Sequence, residues 1–513
     1  MASDRRNRNA TTRRTYLKLT GAIAASSAVM GSAAANHSDY EDDYDTVIDV
    51  TEVGADNDGD ESVTPVLREH ADDDTLLYFP PGRYYMDEQF RFTGFNNFGM
   101  VGHDAELVPA NYHDFDHDGD GNYRLFRMGV KYDPGTDLRI EGFTVDQTAD
   151  DTGIRVIEAE VDDGLIVRDI EILGRHDSGT FGPGRFVITD PDGEGLVERF
   201  EAPNGADWSG DTPSDSLWRG PTGILCNDYN EGTMTFRDCI LGSFPDNGLY
   251  AANGSGSIQI EGGRFQNSTG ANVRLGGNSS YIEDATIIVD QQDPHGIGQR
   301  GLRMEEGNVL VARNVDFQTN VEESPAIWVT NGAEYCYIID STVTVRTDNP
   351  TAAISIRSSA GQTRVKHTQV KHESGGGPAI KIKDGDQPVY LEDVTVTGEA
   401  PTNGTRSAIH NNRDDCEFRS VNVDHGGGWG RRALSNYGNN VLIYEGNFVS
   451  EDHPIEDGGS GTWIEGISAR SRRGNVGLLL KDDAEDIYVK KSHIENGIDD
   501  RSSDGYDGWG NDF

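Results

Sequence analysis

The chain is poor in several things that a compact enzyme domain usually carries. Only four of its 513 residues are cysteines, Cys226, Cys239, Cys336 and Cys416, and none forms a CxxC pair. That excludes a thiolate metal knot and a dense disulfide framework. Buried free thiols are expected, with a Cys226–Cys239 bridge as the alternative. Lysine is scarce, at nine of the 44 basic residues, and apolar residues reach only 35%, which suits a thin core. No run after the first 35 residues approaches the length of a membrane-spanning helix. Helical periodicity is also missing from the repeats that fill the chain from its middle onward, where no stretch keeps it for three turns.

Positive charge is the largest deficit: the formal net charge is −44. The first 35 residues hold six basic residues and one acid, leaving 38 basic against 87 acidic, or −49, over the remainder. Such a surface repels nucleic acid and anionic lipid, so neither is an expected partner. An acidic, lysine-poor surface resembles that of haloarchaeal proteins, which implies solvent adaptation rather than a binding signal.

What the chain does have is a repeat. A small residue, an aliphatic, any residue and another aliphatic recur, as in Gly248-Leu249-Tyr250-Ala251 and Ala353-Ile354-Ser355-Ile356. The first aliphatics are Ile224, Leu249, Val273, Leu302, Ile327, Ile354, Ile380, Ile409, Leu434, Ile455 and Leu478, separated by 21 to 29 residues. Self-similarity at that period marks a solenoid. Each unit contains three short alternating runs, such as 248–251, 257–260 and 263–265, separated by Gly, Asn, Asp and Ser. Three strands per coil, stacked about 4.8 Å apart, make a parallel β-helix lined by Ile, Val and Leu. The expected fold is therefore all-β: a single-stranded right-handed parallel β-helix with a short N-terminal helical cap. Propeller blades need about 40 to 50 residues, and hexapeptide helices need a stricter rhythm.

Arg13-Arg14 with Leu17-Lys18, an apolar run from Leu19 to Met30 and Ala33-Ala34-Ala35 read as a secretory signal, and the paired arginines resemble the twin-arginine export motif. This implies a secreted, extracellular protein cut near Ala35. Asn253, Asn267, Asn278 and Asn403 begin glycosylation sequons. The expected division is 1–35 signal, 36–46 acidic linker, 47–497 β-helix with its cap at 47–86 and an insertion loop at 175–220, and 498–513 an acidic, Gly-rich, disordered tail.

Val53-Gly54-Ala55-Asp56 with Asp58-Gly59-Asp60, then Tyr78-Phe79-Pro80-Pro81-Gly82-Arg83-Tyr84, resembles the opening of pectin-lyase-like right-handed β-helix proteins, including polygalacturonases and the pectate-lyase-3 type. The motif covers about 40 residues. The resemblance implies carbohydrate-active enzymes, together with phage and adhesive proteins that share the fold. In related polygalacturonases the catalytic acids stand beside strands of this kind on neighbouring coils. Asp150, Asp151 and Asp246 match such places. Two coil spacings would set Asp151 and Asp246 roughly 9 to 10 Å apart, at the edge of the range for an inverting acid/base pair. The Gly-His-Gly and Arg-Ile-Lys motifs of polygalacturonases and the His/Asp and Arg-Pro signatures of classical pectate lyases are missing. The resemblance therefore implies a carbohydrate-active enzyme of either kind, hydrolase or lyase.

The outward residues of the recurring strand form a second pattern: Arg155, Leu225, Tyr250, Arg274, Arg303, Trp328, Ser355, Lys381, His410, Ser435. On so acidic a chain, one stripe collects cations and rings. Rings stack on sugar faces and Arg pairs with carboxylates, which implies a groove for an acidic polysaccharide, with Arg274 and Arg303 gripping uronates. Trp208 and Trp218 in the insertion would wall it. Asp114, Asp116, Asp118 and Asp120 match the front half of a calcium loop without its twelfth-position acid, so calcium is the one cofactor suggested and none is required. The reading is a monomeric extracellular protein that binds and cleaves an acidic polysaccharide. The alternative is a non-catalytic glycan-binding or cell-surface scaffold.

Overall fold

A computed structural model describes residues 37–116, 121–296 and 298–513. The signal-like segment 1–35, Asp118 and Asp120 lie outside the described residues. Among the described residues forty-three strands form one continuous parallel system. They sort into three stacks, and the chain visits each stack once per coil, as in Asn247–Ala251, Ser257–Glu261 and Arg264–Gln266. The molecule is a parallel β-solenoid.

The recurring aliphatics hold one register. Ile224, Leu249, Val273, Leu302, Ile327, Ile354, Ile380, Ile409, Leu434, Ile455 and Leu478 pair in unbroken succession down the first stack. Every one is fully buried. Because side chains alternate across a strand, this register sends the intervening residues outward in a matching row. Some of the buried polar residues form a ladder in the interior. Asn411 Nδ2 donates to Asn436 Oδ1 at 2.8 Å, and Asn436 Nδ2 donates to Asp457 Oδ1 at 2.7 Å. Burial nevertheless raises the Asp457 carboxyl to about 6.

The bend between the second and third stacks uses one left-handed residue per coil: Asp169, Asp238, Asp284, Asn314, Asp340 and Asp393 all have positive φ. Short polar side chains tolerate that region, so these five aspartates and Asn314 serve the turn. At the start of the solenoid, the strand Thr46–Asp49 pairs with Thr75–Phe79. The helix Thr64–His70 begins with a proline in its first turn and buries Leu67 in the main core.

Two segments depart from expectation. The expected insertion at 175–220 contains the strands Gly184–Ile188 and Glu194–Ala202, which pair forward and backward in the stacks. They complete an ordinary coil, and only the stretch after Ala202 stands outside it. The phrase is hidden because Gly184 occupies the aliphatic's place opposite Ile224 while the Phe186 ring fills the space. The expected disordered tail also carries strands. Ile498–Asp500 pairs with Leu478–Leu480, and Tyr506–Trp509 with Ile487–Lys490. All four cysteines are free and buried, so there is no Cys226–Cys239 bridge. Among the described residues no helix is long and apolar enough to cross a membrane.

Candidate functional site on the outer face of the first stack

From Leu225 to Ser435 the outward row is continuous. Leu225, Tyr250, Arg274, Arg303, Trp328, Ser355, Lys381, His410 and Ser435 pair in that order. Neighbours in the row are therefore about 4.8 Å apart. Arg155 does not belong to it. The coil 184–188 intervenes, so Arg185 pairs with Leu225 and Glu158 with Arg185, while Arg155 pairs with Arg124 at the strand's edge.

That extra coil also separates the expected acids. Asp151 precedes the strand Arg155–Asp163 and Asp246 precedes Asn247–Ala251, with Gly184–Ile188 and Ile224–Cys226 between them. Three spacings put the two places about 14 Å apart, beyond the roughly 6.5–9.5 Å of an inverting pair. Asp151 has φ +61, and its N–H donates to Asp177 Oδ2 at 2.6 Å, which makes it a turn residue. Asp150 is exposed beside it. Asp246 is half-buried, accepts the Thr222 hydroxyl at 2.8 Å, and lies close enough to Arg303 to favour that group's charge.

The row divides electrostatically. At its N-terminal side Glu158 receives Arg124 at 2.9 Å and also pairs with Arg155, while Arg185 pairs with Glu160. Phe181 roofs this network, with the Arg124 and Arg155 guanidinium carbons 4.9 and 4.8 Å from its ring centre. Burial alone would raise the Glu158 carboxyl, but Arg155 and Arg124 outweigh it and hold it at about 2. Burial lowers Arg155 to about 10 against the pull of Glu158.

Arg274 and Arg303, expected to grip uronates, both pair with Glu305, a carboxylate buried between them that the sequence pattern did not single out. Arg274 also lies 4.0 Å over the Tyr250 ring. Next along this face are cations without an acid. Among the described residues Arg300, Arg357, Lys381 and Lys383 have no carboxylate at ion-pair distance. Arg300 and Arg357 sit on the Trp328 ring at 4.7 and 4.5 Å. Burial lowers Arg300 to about 10, helped by Arg303, Arg219 and Arg357. Lys381 is likewise lowered by burial and then by Lys383 and Arg357. His410 falls below its ordinary value through burial and the neighbouring Lys381, and its ring meets Tyr437 at 5.6 Å. The signal for Arg357 and Lys383 was present in the sequence, two places after Ser355 and Lys381; Arg300 had none.

A strap borders this face. Residues 207–221 leave the corner before Ile224 and reach the corner before Leu302, three coils away, where Trp208 stacks on His295 at 4.1 Å. Asp211 pairs with His295 at 3.6 Å, and the Ser209 N–H donates to the Arg219 carbonyl at 2.7 Å. Gly220, at φ +141, lies against Pro245, where a side chain would clash, so the strap crosses beside Asp246.

The calcium candidates divide. Asp114 is exposed on the turn Tyr112–Phe115, whereas Asp116 accepts the Gly121 N–H at 2.7 Å and the Tyr123 hydroxyl at 3.2 Å. Among the described residues no three His, Cys, Asp or Glu side chains gather as metal ligands.

No protein-family model matches the chain, and no curated protein sequence does. Among solved structures, it is similar to the catalytic unit of a thermostable GH87 alpha-1,3-glucanase from Streptomyces thermodiastaticus, at 15% identity and TM-score 0.47, over 84% of this chain and 70% of that one. DFA-IIIase from Arthrobacter chlorophenolicus gives 10% identity and TM-score 0.36, over 86% and 93%. The surface protein and adhesin PfbA of Streptococcus pneumoniae gives 12% and 0.40, over 79% and 99%.

Proposed function

We propose that this protein binds an extended acidic polysaccharide along the outer face of the first stack, outside the cell, as the signal-like residues 1–35 suggest. One observation carries the reading: on a chain of net charge −44, Arg300 and Arg357 on the Trp328 ring, and Lys381 and Lys383 beside Arg357, have no carboxylate at ion-pair distance among the described residues. Unpaired cations held half-buried by neighbours of the same sign are costly for the free protein and are relieved by an anion. Guanidinium groups laid on an indole offer a stacking surface and a carboxylate partner in one place. Arg274 and Arg303 bring one net positive charge between them after Glu305, and they extend the face rather than anchor it. The test is binding of uronate-rich and neutral polysaccharides to the wild type and to Lys381→Glu/Lys383→Glu. Selective binding of the acidic polymer that falls about 10- to 100-fold in the variant supports the reading. Unchanged binding refutes it.

A second reading, cleavage of the bound chain, is favoured by Asp246, a half-buried carboxylate beside both Arg303 and the strap. Asp151 is too distant to be its partner, so any reaction here uses another group or water. Release of reducing ends would mark a hydrolase and new unsaturated-product absorbance a lyase. Either should vanish in Asp246→Asn, and the absence of both in the wild type leaves a binding protein.

A further inference from the structure

The strap and a glycine loop each display an indole that the fold does not use. Trp218 is 77% exposed on the strap, with the Arg219 guanidinium carbon 4.1 Å over its ring. Trp429 is also 77% exposed, in Gly426-Gly427-Gly428-Trp429-Gly430, and the Arg406 side chain lies beside Gly430. Both loops occupy the same corner of the solenoid, between the third stack and the first. Neither is loose. The strap is pinned by the Trp208–His295 stack and by the Ser214 N–H, which donates to the Ser178 carbonyl at 3.0 Å. The glycine loop is pinned by Arg431, fully buried, which donates to the Gly377 carbonyl at 2.9 Å. Among the described residues Arg219 and Arg406 have no carboxylate at ion-pair distance. Trp218 thus carries an unpaired guanidinium on its ring, Trp429 has one beside the residue that follows it, and the four free cations of the face lie between the two loops.

We infer that Trp218–Arg219 and Trp429–Arg406 are two outer subsites for one chain of an acidic polysaccharide, so the ligand is a polymer and not a mono- or disaccharide. This rests on the proposed function and specifies its ligand. From the coils the strap crosses to the strand Arg432–Asn436 there are five to eight strand spacings, about 24 to 38 Å. Each subsite stacks a sugar face on an indole and pairs the sugar's anionic substituent with the neighbouring arginine. A ligand reaching both gains the second contact at high effective concentration, and a short one cannot.

The experiment measures affinity for size-fractionated oligouronates, from disaccharide to polymer, in the wild type, Trp218→Ala, Trp429→Ala and the double variant. Melting curves confirm folding, which exposed side chains should not disturb. Wild-type affinity should rise steeply once fragments span both indoles, by about 100-fold or more over the disaccharide. Each single substitution should remove most of that rise. If affinity is independent of length, or if the double variant keeps the full rise, the two-subsite inference fails while the cationic face survives on its own test. If no acidic polymer binds the wild type, both fall together.

Discussion

Between Arg127 and Arg185 the outward face of the first stack is roofed and its cations are ion-paired with Glu158 and Glu160, whereas from Trp328 to His410 the large side chains are half-buried and the cations have no carboxylate at ion-pair distance among the described residues. Strand geometry and register are the same in both stretches. The difference lies in the corner segments that flank the strands. Segment 175–183 folds back over the first stretch with Phe181, and Glu158 and Glu160 supply the counter-charge. Over the second stretch the corner segments 346–353, 373–379 and 399–406 contain no aromatic residue, and the row's next acid after Glu305 to take an ion pair is Glu456, with Arg432. A solenoid coil contacts only its neighbours, so one face can be structural at one end and receptive further on.

The sharpest way to break this contrast is to remove one charge from each stretch. Glu158→Gln leaves Arg155 and Arg124 buried without a partner and should cost about 3–5 kcal/mol in denaturant unfolding. Lys381→Ala should change stability by no more than about 0.5 kcal/mol, because no acid depends on it. Equal losses would erase the distinction.

Acid should separate the regions in a second way. His372 and His425 are buried around Arg431 in the C-terminal half, and burial first, then Arg431, lowers both to about 3. Their folded values lie below the ordinary 6.5, so the unfolded chain binds more protons between about 3 and 6.5. The stability they contribute is complete above pH 6.5 and declines as pH falls toward 3. Glu158, held at about 2 against its ordinary 4.5, loses its contribution only as pH falls from 4.5 toward 2. Hydrogen exchange over a pH series should therefore show the coils around His372 and His425 loosening between pH 6.5 and 4.5. His176, buried beside Phe181 and lowered by burial to about 4, puts its own corner in the same window, so the Glu158 contribution is read as the additional loss below pH 4.5. Protection around His372 and His425 that persists to pH 4.5 would contradict this order. The smallest effect is expected at Asp151→Asn, which should leave polysaccharide binding within about twofold of wild type, because Asp151 serves a turn three coils from Asp246.

The core is largely legible in the amino-acid sequence. Eleven aliphatics read at spacings of 21 to 29 residues stand in one register, because an interior only a few side chains wide forces every coil to repeat its demand. The outward row from Leu225 to Ser435 followed automatically from strand alternation. Legibility failed where a coil met that demand differently. Phe186 fills its layer across Gly184, the phrase disappears, and a whole turn passes for an insertion, which moves Asp151 one coil further from Asp246. The C-terminal strands were missed because Asp, Gly and Ser dominate a last coil with little interior to fill.

Spacing alone thus specified the solenoid and the order of residues along its face, since both depend on a period that local chemistry writes into every coil. Which charges on that face are already satisfied was settled by folding. Glu305 reaches Arg274 across a coil boundary, and Trp208 meets His295 from 87 residues away. Such meetings depend on where irregular corners place side chains, and no period encodes them.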